Sequence, residues 1–502
     1  MAHLFVKIPL ERSKPLAQAH WFNENLRTYQ HEDIKEATSD LMTRIYEHSK
    51  PKRERRAIHL LQLEVLILNL FEAQKHSGFF VISKSAGHYS FVEAVSFRVL
   101  VGHHLKHLRD MGFLKEYKGF NSPQVASRTR YELLLPALEW LKKWQLIDSQ
   151  YLFCSAETQS IHLKNAKKQR IPLPAGLIIE AEAMGATVQL LNQMLKYTFV
   201  DLFLTDVELC ELEEDLGRSR NEEKYLPARV NFERRFIYRV FNNESLEEGG
   251  RFYGGWWQTI PKAYRPYISI NNNFVEELDY SGMHVDLLYA HHNAVCSMDD
   301  PYVFGLITHE HRDQTKVIFN RLINVSKRAY LISALEKDHD ERKLMLPKDV
   351  SNFDEYVGLI ESAHSPIAGS FMSGASVKLQ YLDSQIAERV MLRMLVEHSA
   401  ACLPIHDSFV VEAVHVKALR QVMEDVFIDF VGRRPQIKAV SRSLKAADRQ
   451  DRVNLIDKIF DDSQGYVQRY DIFCRYNNHK YLTQGGVPFE DKPCSASWTT
   501  VS

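Results

Sequence analysis

Two aspartates stand where rigid strands would present their carboxylates to a metal ion. Asp279 ends a strand-like run, and Asp407 follows His406 at a tight bend between two hydrophobic stretches, 402–405 and 409–411. Both carboxylates are therefore expected at strand edges of one sheet. Carboxylates are the hard oxygen ligands that magnesium prefers, and paired divalent cations activate a hydroxyl and neutralise a departing pyrophosphate. The pattern thus predicts a site for phosphoryl transfer.

The stretch between the two aspartates supplies positive charge at helical spacing. Arg312, Lys316 and Asn320 lie four residues apart, so they share one face of a helix. On that face Arg312 and Lys316 are placed to grip a triphosphate, while Asn320 and Asn324 meet the base and the sugar. Each signal alone also fits a turn residue or a solvated helix face, so their order along the chain carries the interpretation.

Five short motifs follow one another in the second half of the chain. They are, in order, Gly250 with Arg251, Gln258 to Pro261, Asp279 to Ser281, Arg312 with Lys316, and His406 with Asp407. This order resembles the polymerase core of the family A DNA polymerases and the related single-subunit phage-type RNA polymerases. The resemblance covers roughly the C-terminal half and does not reach the N-terminal half.

The resemblance implies an α+β fold, with a right-hand palm built on an antiparallel sheet and with helical fingers. It also implies a nucleotidyltransferase that uses a DNA, or possibly RNA, template and primer together with nucleoside triphosphates. Asp279 and Asp407 would bind two Mg²⁺ or Mn²⁺ ions. Arg312 and Lys316 would hold the phosphates of the incoming nucleotide. Lys316 is the third catalytic candidate, as a proton donor to pyrophosphate.

Contacts to the nucleic acid follow from the same resemblance. Arg251 and Gln258 would touch the primer–template, and His406 would support the primer end. A helix after residue 370 is similar to the family helix that packs on the template, which makes Gln380 and Asp383 further candidates.

Departures from the family pattern fall around the nucleotide. Asn320 and Asn324 replace the aromatic residues that stack on the incoming base, and His284 replaces the Glu that blocks the ribose 2′-hydroxyl. Ser281 and His284 remain candidates for nucleotide binding. The preference for dNTP or NTP, the type of template and the need for a primer stay open.

The first half of the chain predicts a winged helix, because two amphipathic helices precede a basic hairpin at 113–134. In such a domain the second helix enters the major groove and the hairpin reaches phosphates. A winged helix used only for packing is the alternative. The basic residues that would contact DNA are Arg98, Lys106, Arg109, Lys118, Arg128 and Arg130.

Length and composition indicate a multi-domain globular chain. It has 502 residues and a formal net charge of −1, which leaves nucleic-acid binding to local basic patches. No membrane span or secretion signal is evident, so a cytoplasmic location is expected. The predicted regions are a helical segment at 1–55, a winged-helix-like domain at 56–150, a linker and thumb-like region at 151–225, the palm and fingers at 226–450, and a tail packing on the palm at 451–502.

Two further groups of residues have plain structural interpretations. His309 and His311, in an HEH triplet, fit a helix start better than a metal site. Trp256 and Trp257 are more typical of one buried and one half-exposed ring than of a base-stacking platform. The leading hypothesis is a template-directed polymerase that replicates or primes a plasmid, phage or other mobile element. The alternative is a DNA-binding initiator or regulator whose polymerase-like domain is inactive.

Overall fold

The computed structural model shows a fold of mixed α-helix and β-sheet, in agreement with the expected α+β class. Every helix in the described parts of the chain is too short or too polar to pass through a lipid bilayer. The structure describes residues 20–22, 26–28, 32–49, 57–76, 78–84, 95–121, 126–127, 129–144, 152–154, 160–219, 230–341, 343–440 and 449–483.

Helices surround small sheets in the described residues before 160. The main sheet has the strand order β1-β3-β7-β4 and is antiparallel except for the β1–β3 pair. The helices are α1 (Glu32–Ser49), α2 (Ala57–His76), α3 (Phe97–Val99, a π-helical turn at Leu100–His104, then Leu105–Asp110) and α4 (Leu135–Lys143). The strands are β1 (His20–Trp21), β2 (Leu26–Thr28), β3 (Phe79–Val81), β4 (Leu114–Tyr117), β5 (Phe120–Asn121), β6 (Ala126–Ser127), β7 (Arg130–Leu133) and β8 (Leu152–Cys154).

Helix α2 is apolar on most of its surface, which is typical of a helix at the centre of a core. Helix α3 buries Leu100, Leu105 and Leu108 in the same core, as its apolar spacing predicts. Gly112 ends this helix with a left-handed φ of 73°. The hairpin expected at 113–134 is confirmed by the antiparallel pairing of β4 with β7.

A second sheet joins residues before and after 200. Its strands are β9 (Ile161–Lys164), β10 (Arg170–Ile171), β12 (Tyr238–Phe241) and β13 (Gly249–Tyr253), in the order β10-β9-β12-β13. The segment at 164–176, whose basic residues and prolines are typical of a linker, belongs to this sheet. The turn between β9 and β10 holds Lys168 at a φ of 62°, and β9 buries Ile161 and Leu163 in the core of the C-terminal half.

The third sheet carries the two candidate aspartates, and each of its strand pairs is antiparallel. The strand order is β11-β14-β15-β17-β16, and β18 also pairs with β15. The strands are β11 (Val200–Leu202), β14 (Ile268–Ile270), β15 (Asn273–Ser281), β16 (Leu403–Ile405), β17 (Ser408–Glu412) and β18 (Gln436–Ala439).

Helices of the C-terminal half cover this sheet and extend beyond it. They are α5 (Ile178–Lys196), α6 (Asp206–Ser219), α7 (Met283–His291), α8 (Arg312–Asn324), α9 (Arg328–Asp340), α10 (Phe353–Ala363), α11 (Ser376–His398), α12 (Val416–Val431), α13 (Arg449–Asp462) and α14 (Gln464–Thr483).

Side chains along β15 alternate between a face that packs in the core and a face that carries the candidate site. Leu278 and Tyr280 are buried on one face, and the Tyr280 hydroxyl donates a hydrogen bond to the Met423 carbonyl of α12 at 2.7 Å. Residues Glu277, Asp279 and Ser281 occupy the opposite face, because successive side chains of a strand point to opposite sides. The hydrogen bond and the buried face together fix the side to which Asp279 points.

The C-terminal helices α13 and α14 dock on the body, as expected for the tail at 451–502 over its described part. Tyr466 is fully buried and packs against Phe199. Arg469 of α14 donates hydrogen bonds of 2.6 and 2.8 Å to the buried Asp201 of β11. Charge pairing and aromatic packing thus hold α14 against the edge of the third sheet.

Candidate active site

Asp279 lies on β15, and Asp407 lies in the turn that leads into the neighbouring strand β17. Asp279 is opposite Ser408 in the β15–β17 pairing, and Ser408 directly follows Asp407. The backbone N–H of Tyr280 also donates to the Asp407 carbonyl, with 3.4 Å between nitrogen and oxygen. The convergence expected from the sequence is therefore present. The role of the two carboxylates as metal ligands stays a prediction.

Side chains of the segment at 256–258 form hydrogen bonds that stabilise the turn containing Asp407. Trp257 Nε1 and Gln258 Nε2 donate hydrogen bonds of 3.1 and 2.9 Å to the Pro404 carbonyl, and Gln258 also donates to Phe252 O at 3.0 Å. His406 has a left-handed φ of 60° in this two-residue turn. Gln258 was expected to touch the primer–template, but its amide N–H groups are directed to the protein backbone.

Burial and like charge act together on Asp279. Burial, reinforced by the negative charge of Asp407, raises the pKa of Asp279 to about 7, although Lys438 and Lys316 lower it. The pKa of Asp279 is thus raised mainly by burial, and the nearby lysines offset only part of the effect. Perturbed carboxylates of this kind are typical of functional sites.

Two lysines approach the aspartates from different elements. Lys316 is exposed on α8, and its charge acts on Asp279 as the sequence interpretation requires. Lys438 was not predicted; it lies opposite Asp279 in the β15–β18 pairing. Its only signal in the sequence is a short QIKA stretch after a glycine, which is too brief to be recognised as a strand of this sheet.

A half-buried polar cluster stands next to the aspartates. Asp383 of α11 accepts a hydrogen bond from Arg251 Nε at 2.9 Å and lies 3.0 Å from His284 Nε2. The hydrogen bonds and charge of Asp383 raise the pKa of Arg251 despite its burial, and Asp407 adds to this effect. Burial, followed by the charge of Arg251, lowers the pKa of His406, so that ring is neutral at neutral pH.

This cluster unites three residues that lie in separate segments of the sequence. Arg251, His284 and Asp383 were expected to contact the nucleic acid or the nucleotide, and here they bind one another. The pair Arg251–Asp383 joins residues 132 positions apart.

A second network lies behind Asp279 and was not predicted. Ser408 Oγ donates a hydrogen bond of 2.6 Å to Glu277 Oε1, and Arg265 Nη1 donates to the same oxygen at 3.1 Å. Glu277 is 3% exposed, and its Oε2 makes no hydrogen bond to any described residue. Glu277 occupies the same face of β15 as Asp279 and therefore adds negative charge behind the pair of aspartates.

Arg312 stands at the start of α8 and is already paired. Its Nε donates to Asp300 Oδ2 at 2.5 Å, and its guanidinium lies 5.4 Å from the centre of the Tyr302 ring. The hydrogen bond with Asp300 raises the pKa of Arg312. A phosphate would therefore have to share or displace the carboxylate of Asp300.

The remaining nucleotide-binding candidates have mixed surroundings. Asn320 is half-buried, whereas Asn324 is exposed and its amide donates to the Asn320 carbonyl at 2.8 Å. Ser281 ends β15 and is half-buried. Gln380 is half-buried on α11, with its amide 3.5 Å from Ser376 Oγ.

The basic residues predicted to contact DNA in the N-terminal half differ in how far they are exposed to solvent. Arg98, Lys106 and Lys118 are exposed, as a phosphate contact requires. Arg109 forms an ion pair with Glu116 of the hairpin. Arg109 is half-buried and already has a carboxylate partner, so it is less available to a phosphate than the other three.

Arg130 does not fit the expected phosphate contact. It is 5% exposed, and its guanidinium lies 5.1 Å from the centre of the Tyr117 ring. Arg130 belongs to β7, so its side chain packs against the sheet and does not lie at the tip of the hairpin. Arg128 lies outside the described residues.

The weaker candidates are structural. His309–His311 forms the short helical turn that leads into α8, as the helix-start interpretation predicts. Trp256 and Trp257 are both buried, whereas one was expected to be half-exposed, so neither offers a face to a nucleic-acid base.

The donor set at Asp279 and Asp407 fits hard divalent cations. Both candidate ligands are carboxylates, and a bound cation would offset the burial and the like charge that raise the pKa of Asp279. Comparison with models of known protein families, and with curated protein sequences, gives no match to this chain.

Proposed function

We propose that the chain is a template-directed nucleic-acid polymerase whose palm is the third sheet and whose fingers include α8. The observation that supports it is the register of β15 with β17, which sets Asp279 beside Asp407 within reach of the Lys316 charge. Two carboxylates and a lysine on rigid elements match the needs of phosphoryl transfer, namely cation binding and positive charge.

Asp279 and Asp407 are the proposed ligands of two Mg²⁺ or Mn²⁺ ions. Divalent cations bound there supply Lewis acidity to the attacking hydroxyl and compensate the charge of the leaving pyrophosphate. The strands keep the carboxylates fixed, because Asp279 is held by pairing on both sides of β15. The ligands therefore do not need to reorganise when substrate arrives.

Lys316 and Arg312 are the proposed phosphate contacts. Lys316 is exposed on α8, and its charge lowers the pKa of Asp279. This position suits a group that contacts the triphosphate and gives a proton to pyrophosphate. Arg312 is held by Asp300, so its role is to orient phosphate from the end of α8 rather than to move.

The cluster of Arg251, His284 and Asp383 is the proposed surface that contacts the primer end and the sugar. His406 is neutral and therefore offers a hydrogen bond rather than a charge to the primer. His284 is positioned by Asp383 at the place where related DNA polymerases carry Glu, so this ring is the proposed contact of the 2′-position.

Primer extension tests this proposal directly. The full chain is incubated with a primed template, Mg²⁺ or Mn²⁺, and either dNTPs or NTPs, and compared with Asp279→Asn and Asp407→Asn. We expect extension by the parent chain and loss of at least about a thousandfold in each variant, the scale of removing a principal catalytic group. Equal extension by the variants would overturn the assignment of the aspartates.

A DNA-binding initiator or regulator with an inactive polymerase-like domain is the second candidate. It is favoured by the pairing of Arg312 with Asp300 and by the amide of Asn324, which is turned to its own helix instead of outward. No extension with any nucleotide or metal, together with specific DNA binding by the parent chain, would select this function.

A further inference from the structure

We propose that the N-terminal half holds a divalent transition-metal ion, of the zinc class, on His59, His103 and His104. One ring nitrogen from each of these histidines lies within 4.8 Å of the other two. His59 stands in the first turn of α2, and the other two are adjacent in α3. This inference does not depend on the polymerase proposal.

The separation of two of the three ring nitrogens fits tetrahedral coordination. The Nδ1 atoms of His103 and His104 are 3.5 Å apart. Zinc–nitrogen bonds of about 2.0–2.1 Å at a tetrahedral angle place two ligand nitrogens roughly 3.4 Å apart. The two imidazoles therefore stand at ligand spacing without a change of backbone.

The hydrogen bond of His104 selects the nitrogen that would bind the metal. Its Nε2 lies 3.1 Å from the His59 carbonyl oxygen, which only accepts hydrogen bonds. Nε2 thus carries the hydrogen, and Nδ1 keeps a lone pair directed towards His103. A backbone carbonyl that fixes the tautomer of a ligating histidine is a usual supporting contact of metal sites.

Burial favours a ligand over a charged pair of rings. His104 is fully buried and His59 is 5% exposed. Edge-to-face packing of the rings, at centroid distances of 5.0 to 5.3 Å, is the plain alternative.

The backbone of α3 has an unusual conformation at this place. Residues Leu100–His104 form a π-helical turn, which ends at the two histidines. Such turns are rare and often found at functional sites. A fourth imidazole, His107, has its ring centre 4.6 Å from that of His103, and its buried Nδ1 makes no hydrogen bond to any described residue.

The donor set selects the class of metal. Three imidazoles suit zinc, cobalt, nickel or copper, whereas magnesium and manganese prefer oxygen. This site would therefore take a different ion from the carboxylates Asp279 and Asp407. A bound ion would tie α2 to α3, the helix that carries the exposed Arg98 and Lys106.

Cobalt binding to the full chain is the test, because Co²⁺ replaces zinc and reports its coordination by visible absorption. The metal-stripped protein is titrated with Co²⁺ in excess Mg²⁺, and zinc is then added in competition. We expect one ion per chain, a tetrahedral spectrum, and displacement by zinc. The half-buried His103→Ala should bind at least about tenfold more weakly, the scale of disturbing a metal ligand.

Two further variants separate binding from folding. His103→Cys keeps a ligand and should bring a sulfur-to-cobalt charge-transfer band, which a purely structural role of His103 would not produce. The matched control His309→Gln/His311→Gln, in the half-exposed turn before α8, should bind Co²⁺ like the parent chain. Lack of Co²⁺ binding by the parent, or unchanged binding and no new band in the His103 variants, would overturn the proposal.

Discussion

Lys438 lies opposite Asp279 in the antiparallel pairing of β18 with β15. Its charge is the largest influence that lowers the pKa of Asp279, ahead of Lys316. The strand that carries Lys438 therefore belongs to the candidate active site, although it stands far from every motif in the sequence.

Lys438→Ala should move the metal-binding equilibrium to higher pH. Without this cation the pKa of Asp279 rises further above its ordinary value, so protons compete with Mn²⁺ over a wider pH range. We expect the midpoint of Mn²⁺ binding, followed by electron paramagnetic resonance, to shift upward by a few tenths of a pH unit or more. Lys417→Ala, in the exposed first turn of α12, is the control. An unchanged midpoint in Lys438→Ala would contradict the assignment.

Asp279→Asn should stabilise the chain near neutral pH when divalent cations are removed. Because the folded pKa of about 7 lies above that of the unfolded chain, the favourable contribution of Asp279 is present below about pH 4 and is lost as the pH rises through 7. The variant should gain on the order of 1 kcal/mol at pH 8 and nothing at pH 4 in urea unfolding. A gain that is equal at both pH values would refute the charge explanation.

Asp383→Asn should destabilise the body. The Asp383 side chain is 2% exposed and its partner Arg251 is mostly buried, so the substitution leaves a buried guanidinium without its counter-charge. We expect a loss of about 3 kcal/mol in the free energy of unfolding. The control Asp313→Asn removes a carboxylate whose side chain is 97% exposed and should cost less than about 0.5 kcal/mol.

Gln258→Leu distinguishes a structural role from a nucleic-acid contact. The substitution removes the hydrogen bonds to Phe252 and Pro404 and should lower the free energy of unfolding by about 1 kcal/mol. Its KM for primer–template should match that of the parent once stability is restored by lower temperature. A raised KM at full stability would instead support the contact expected from the sequence. Gln380→Leu provides the comparison on α11.

The sequence identified the aspartates because each is bounded by a hydrophobic strand pattern. The pattern also located β4 and β7. It could not reveal Lys438, since β18 is short and largely exposed, nor the pairing of Arg251 with Asp383 across 132 residues. The basic run at 164–176 suggested a linker because turn residues of a hairpin and of a boundary have the same composition.

The sequence also could not predict how far individual basic side chains are exposed to solvent. Arg130 and Arg98 are both arginines in predicted basic elements, yet Arg130 is buried inside the sheet and Arg98 is exposed. The exposure of Arg130 depends on strand register, which a single sequence leaves undetermined.

The bond from Ser408 to Glu277 spans 131 residues of chain. The chain between β15 and β17, which includes α7 to α11, must therefore fold back before Asp279 and Asp407 come together. A contact between residues so far apart in sequence forms slowly compared with local helices. During refolding, the capacity to capture Mn²⁺ should consequently appear late, after most helical signal has returned. The time at which Mn²⁺ binds would then report when the third sheet completes its assembly.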